Sequence, residues 1–320
     1  MKARLPLGGR AWPRVLPLML ATAALVMGVT GAYAAPARPS AVGAASTATA
    51  VARTSAASCN PRASLRPSGP PQVTSGSFMA TIRARGYLIA GVDQSTYHFG
   101  FLNPLTGQIE GFDIDMIHAV ADAIFGTYQN HVHYKAISDN QRIPDILNGT
   151  VDIVAHTMTI TCDRLQEVDF SSVYFEAHQR VLVLKNSSAQ NLAGLRGQKV
   201  CATKGSDSLG PIAAAKAVPV AVTYWTDCLV QLQQGDVAAV STDDSILAGL
   251  AAQDPWTKLV GPPLTNEPYG LAISKQHNDF VRFVNAVLQQ LRTNGQWAAS
   301  YARWQLGTPV PAPPPAQYGG

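Results

Sequence analysis

The chain has 320 residues, of which 47% are hydrophobic and 14% charged. That composition is enough for one large or two medium domains. A formal net charge of +4 is small for this length, and Lys2, Arg4, Arg10, Arg14, Arg38 and Arg53 all precede Cys59. No basic stripe with interleaved aromatics follows them, so no nucleic-acid partner is expected.

Residues 1–34 read as an export signal: a basic start, an apolar run from Val15 to Val29, then Ala32-Tyr33-Ala34 as a cleavage site. The run is short for a retained membrane span. Export places the mature chain outside the cytoplasmic membrane, where its four cysteines are expected to form two disulfides. Of three possible connectivities, Cys201–Cys228 is expected because both lie in one later segment, which leaves Cys59–Cys162. Closing the first loop contributes about 3–4 kcal/mol on the chain-entropy model. No metal site is expected, because no cysteine pair has short ligand spacing. Lipidation at Cys59 is not expected either, since Ser55-Ala56-Ala57-Ser58, not an apolar run, precedes it.

Residues 35–77 are rich in Ala, Pro, Ser and Thr and read as a disordered tether; residues 307–320 read as an extended Pro-rich tail. Between them strands and helices alternate. Leu88–Val92 is a short buried strand; Met116, Ile117, Val120, Ala121 and Ile124 recur at helical spacing up to Gly126. Strands at 133–137 and 152–155 flank a short helix at 143–147. A second series follows: strand 199–202, helix from Ser208, strands 220–222 and 237–241, helix from Asp244, strand 270–273. Phe280, Phe283, Val284, Val287, Leu288 and Leu291 then mark an amphipathic helix from Asn278 to Gly295. The class is α/β, two units with mostly parallel sheets and flanking helices. Ligands of such sheets sit at loops after strand C-termini.

The stretch after strand 152–155 is the most informative. Thr157, Thr159, Thr161 and Arg164 combine hydroxyl donors with one guanidinium, a set suited to a carboxylate. The pattern Thr159, Thr161, Arg164, Asp169-Phe170-Ser171 and Tyr174 resembles the polar amino-acid class of extracellular solute-binding proteins, family 3, the receptors of ABC importers. Gly111-Phe112-Asp113-Ile114-Asp115, Asn148-Gly149-Thr150-Val151-Asp152, Lys204-Gly205-Ser206 and Ala239-Val240-Ser241-Thr242-Asp243 extend the resemblance over about residues 79–306.

The resemblance implies a two-lobed periplasmic-binding-protein-like fold with a two-strand hinge: lobe 1 at 78–179 plus 269–306, lobe 2 at 180–268. The crossings are expected at Gln179–Leu184 and near Asn266–Tyr269. It implies that Arg164, with Thr159 and Thr157 nearby, pairs with a ligand α-carboxylate. Asp243 would accept the α-ammonium from the other lobe; the alternative for Asp243 is a helix N-cap. Ser206 and Asp207 open the next helix, where amides attract a carboxylate. Tyr97 is expected against the ligand's aliphatic part, with Phe99 equally suited to core packing.

The resemblance implies that Arg142, 22 positions before Arg164, reads the ligand side chain. A second cleft guanidinium favours a second carboxylate, so glutamate or aspartate come first and glutamine or asparagine next. The alternative is an ion pair with Asp139 or Asp145. Asp93 argues against an acidic ligand and suits a side-chain amide or the ammonium. The expected partners are an amino acid and an ABC importer permease, the chain being a monomer without cofactor or catalytic residue. Two other uses compete: a sensor domain for a membrane signalling partner, and a lyase or dehydratase on the same scaffold, for which His98 and His156 lack an oriented partner.

Overall fold

A computed structural model describes residues 59–319. The expected export signal at 1–34 and the part of the expected tether up to residue 58 lie outside the described residues. Among the described residues, no helix is long and apolar enough to cross a membrane.

Two five-stranded sheets organise two lobes. In the first, the strands run in the order Val132–Ala136, Leu88–Val92, Ile153–Ala155, Ala272–Ile273, Asp169–Phe170. In the second the order is Val218–Val222, Lys199–Thr203, Ala239–Asp243, Gln179–Leu184, Thr257–Val260. Pairing is mixed, a refinement of the mostly parallel expectation. Strand 272–273 is antiparallel to both neighbours in the first sheet, and strand 179–184 is antiparallel to both neighbours in the second. The remaining strands of each sheet share one direction. The reversed strand is in each case the one arriving from the other lobe. It enters at the edge where its neighbours end.

That edge is the interlobe crevice, and the two chains crossing it are Phe175–Ala177 and Glu267–Tyr269, paired antiparallel with Glu267 opposite Ala177. The first crossing therefore precedes the expected Gln179–Leu184. Val181, Leu182 and Val183 are all buried, so that apolar run is a central strand of the second sheet rather than a solvated link.

Local sequence explains the packing. Gly111 precedes helix Phe112–Phe125 at φ 139°, where a Cβ would lie 2.0 Å from the Phe99 carbonyl oxygen; only glycine fits. The helix buries Ile114, Ile117, Val120 and Ile124, and Asn278–Thr293 packs Phe280, Val284, Val287 and Leu288 into the same core. Lobe 2 has its own core around Val181, Val200, Ile212, Trp225, Leu232, Val240 and Leu250.

The tether and tail need a correction. Residues 59–77 and 309–319 are docked: Ala63–Leu65 pairs parallel with Gln317–Gly319. Ser64 Oγ donates to the Phe170 carbonyl at 2.7 Å, Asn285 Nδ2 donates to Ser64 Oγ at 2.7 Å, and Arg62 forms a bidentate pair with Glu176. Ala, Pro and Ser cannot build a core, but their backbone still forms a ladder once a partner strand is supplied, and composition does not reveal the partner. The structure joins Cys59 to Cys162 and Cys201 to Cys228.

Candidate functional site

Four loops at the C-terminal ends of the co-directional strands converge on the crevice: Asp93 onward, His156 to Arg164, Lys204 to Asp207, and Asp243-Asp244. Thr157 holds φ 41°, a costly value for a β-branched residue. A buried relay fixes it. Tyr174 Oη donates to Asp113 Oδ1 at 2.6 Å, and Thr157 N donates to Asp113 Oδ2 at 2.7 Å. Burial raises the Asp113 carboxyl to about 6, against the pull of those two donors. Thr157 Oγ1 itself is buried without a hydrogen-bond partner among the described residues.

Arg164 opens the short helix Arg164–Glu167 and is buried. Its guanidinium donates to the Thr159 carbonyl at 2.6 Å and, across the crevice, to the Gly205 carbonyl at 3.2 Å; Asp207 Oδ2 stands 3.6 Å away. Burial pulls its pKa down, while Asp207, Asp139 and Asp243 hold it charged. Asp243 ends strand 239–243, is buried, and caps no helix amide with its side chain. Its Oδ2 accepts from Tyr269 Oη at 2.5 Å, and that hydroxyl also meets Ser245 Oγ at 2.8 Å. Burial, then the charges of Asp207 and Glu267, push its carboxyl well above the usual range. An arriving ammonium would reverse that shift.

Ser206 Oγ is buried without a partner among the described residues, and Gly205 sits at φ 84°, where a Cβ would meet the Asn140 backbone at 2.7 Å. Tyr97 is half-exposed against His98 and Phe101, and its carbonyl would lie 2.7 Å from a Cβ on Gly249 of the other lobe. Thr203 Oγ1 bonds Asp139 Oδ2 across the lobes. The lobes are therefore closed on each other. Phe99 is core, ringed by Phe112, Phe175 and Tyr269.

Two expected ligand contacts are otherwise engaged. Asp93 Oδ1 accepts from Gln94 N, Ser95 N and Ser95 Oγ, and Oδ2 from Thr96 Oγ1. It braces its own turn, the common habit of Asp after a strand. Arg142 is paired with Asp139 at 2.9 Å and donates to the carbonyls of Asp139, His156 and Gly205. The Asp139 ion pair is the alternative raised from sequence, and it leaves Arg142 little to offer a ligand carboxylate. Glu267 was not expected at the site. It lies on the return crossing, bonded to Thr265 Oγ1 and beside Thr159 and Asp207. A charged residue within an otherwise apolar crossing strand was the available signal.

The geometry has matching relatives. The bacterial extracellular solute-binding proteins, family 3, match residues 88–308. A glutamine-binding protein of an ABC transporter from Bacillus subtilis is 37% identical over 229 residues, covering 71% of this chain and 84% of the relative. An ancestral arginine-binding protein, solved with glutamine bound, superposes with a TM-score of 0.65 at 32% identity, over 70% of this chain and 99% of that one. An ancestral amino acid-binding protein that is a precursor of cyclohexadienyl dehydratase matches with a TM-score of 0.64 at 29% identity, over 72% and 99%. This chain belongs to family 3 of the bacterial extracellular solute-binding proteins.

Proposed function

We propose that the chain is exported, captures a free polar α-amino acid between its lobes, and delivers it to the permease of an ABC importer. One observation carries this reading: Arg164 of lobe 1 and Asp243 of lobe 2 are both buried in one crevice, near enough for the Asp243 charge to act on Arg164. A guanidinium and a carboxylate from opposite lobes are satisfied together by a zwitterion, so ligand and closure are coupled. Thr157 Oγ1 and Ser206 Oγ, buried and unpartnered, offer further donors to the carboxylate end.

For the side chain, the geometry supports an order reversed from the sequence expectation. Arg142 is spent on Asp139, and Asp207 and Glu267 add negative charge to the crevice. Glutamine or asparagine then precede glutamate and aspartate. Binding is favoured over lyase chemistry because His156 is tied to the Ile137 carbonyl at 2.9 Å and buried behind Asp139 and Arg142. Titration calorimetry against glutamine, asparagine, glutamate, aspartate and arginine tests the reading. Glutamine should bind, and Arg164→Ala should abolish binding of every ligand; a wild-type protein inert to all five would refute it.

A further inference from the structure

Glu267 and Tyr269 are two residues apart on one extended strand, so their side chains share a face. Tyr269 Oη touches Asp243 Oδ2, which fixes that face as the floor of the crevice. Glu267 is buried there, with Thr159 of lobe 1 on one side and Asp207 of lobe 2 on the other. Thr265 Oγ1 satisfies only Oε1. Among the described residues, the carboxyls of Asp207, Asp243 and Glu267 gather near the Arg164 guanidinium, while Arg142 is neutralised by Asp139. Thr157 Oγ1, buried and unpartnered on the facing loop, is an independent mark of a cavity built for a guest.

A bound zwitterion accounts for Arg164 and Asp243. What remains is the Glu267 carboxyl with Asp207 as its neighbour across the crevice. Burial and then Asp207 raise Glu267 to about 7. Two neighbouring carboxyls accept an N–H and repel a further carboxylate. We propose that Glu267 is a specificity-determining residue, which reads the ligand side chain from the hinge strand and selects an N–H donor there over a carboxylate. The inference rests on the amino-acid reading above and names the residue that sets its side-chain preference.

The test is titration calorimetry of the full mature chain with glutamine, arginine and glutamate, for wild type, Glu267→Gln and Asp207→Asn. Glu267→Gln keeps the shape, removes the charge and can donate to a carboxylate. It should shift the glutamate-to-glutamine affinity ratio toward glutamate by about tenfold or more, the scale of one charged hydrogen bond, and should weaken arginine. Asp207→Asn, at a more exposed position, should shift the ratio in the same direction. A ratio unchanged in both variants while glutamine still binds would overturn the role of Glu267 and leave the amino-acid reading standing. A wild type that prefers glutamate would overturn it as well. A wild type that binds no amino acid would overturn both.

Discussion

Replacing Arg142 with methionine separates a structural guanidinium from a ligand-reading one. The Arg142–Asp139 pair is 2.9 Å long, and both side chains are at most 4% exposed. Arg142→Met keeps the aliphatic stem but leaves the Asp139 carboxylate in a dry site. Removing one partner of a buried pair costs about 3–5 kcal/mol. The Thr203 bond to Asp139 comes from the other lobe and compensates only when the lobes are closed. Taking about 3 kcal/mol, the lower end of that range, and about 2–4 °C per kcal/mol for a domain of this size, the ligand-free melting temperature should drop by about 6–12 °C. Differential scanning calorimetry without ligand measures this. Asp139→Asn on top of Arg142→Met should restore part of the loss, since the uncompensated charge is gone. A variant that melts within about 2 °C of wild type yet selectively loses glutamate would refute the argument and return Arg142 to the ligand.

Gly249→Ala should weaken ligand binding by about tenfold or more through a closed state that is harder to reach. Its Cβ would meet the Tyr97 carbonyl at 2.7 Å; the ligand-free protein should be no less stable, because alanine favours a helix. Unchanged affinity would mean that the closed contact is not used. Asp243→Asn keeps the Tyr269 hydrogen bond but removes the charge, and should lower affinity for every α-amino acid alike, measured by calorimetry; loss for one ligand only would contradict a backbone-reading role. Asp113 and Glu267 are raised by burial to about 6 and about 7. A raised folded pKa contributes stability that is full below the unfolded value and lost as pH rises through the folded one. The ligand-free protein should therefore lose these contributions as pH rises from about 4, near the unfolded values, to about 7. Asp113→Asn should flatten the lower part of that profile in a thermal melt series, and an identical slope would contradict the assignment.

Much of the fold was legible because each lobe repeats a simple grammar. The helix at Asn278–Thr293 follows from the spacing of Phe280, Val284, Val287 and Leu291, and the stop at Gly126 from its left-handed backbone. Arg164 was signalled by the hydroxyl-rich loop that follows strand Ile153–Ala155, and Asp243 by the family resemblance; the structure buries both. What sequence could not give was competition among neighbours. Arg142 offers the same fork to Asp139 as to a ligand, and only the fold brings Asp139 to 2.9 Å. Asp93 is likewise spent on its own turn. Glu267 was missed because a single charge in a crossing strand is a weak signal; only the fold sets it on the face of Tyr269 and beside Asp207. The docking of 59–77 was hidden for a similar reason, as its anchors Asn285 and Glu176 lie far along the chain.

The clamp itself is tested most directly by editing the ligand. Glutamine, its α-amide and its desamino analogue differ only at the groups assigned to Arg164 and Asp243. With each end held by a buried opposite charge, either edit strands one of them, and affinity should fall by about a hundredfold or more in titration calorimetry. An α-amide or desamino analogue binding within about threefold of glutamine, a difference below 1 kcal/mol, would contradict a crevice that grips both termini of an α-amino acid.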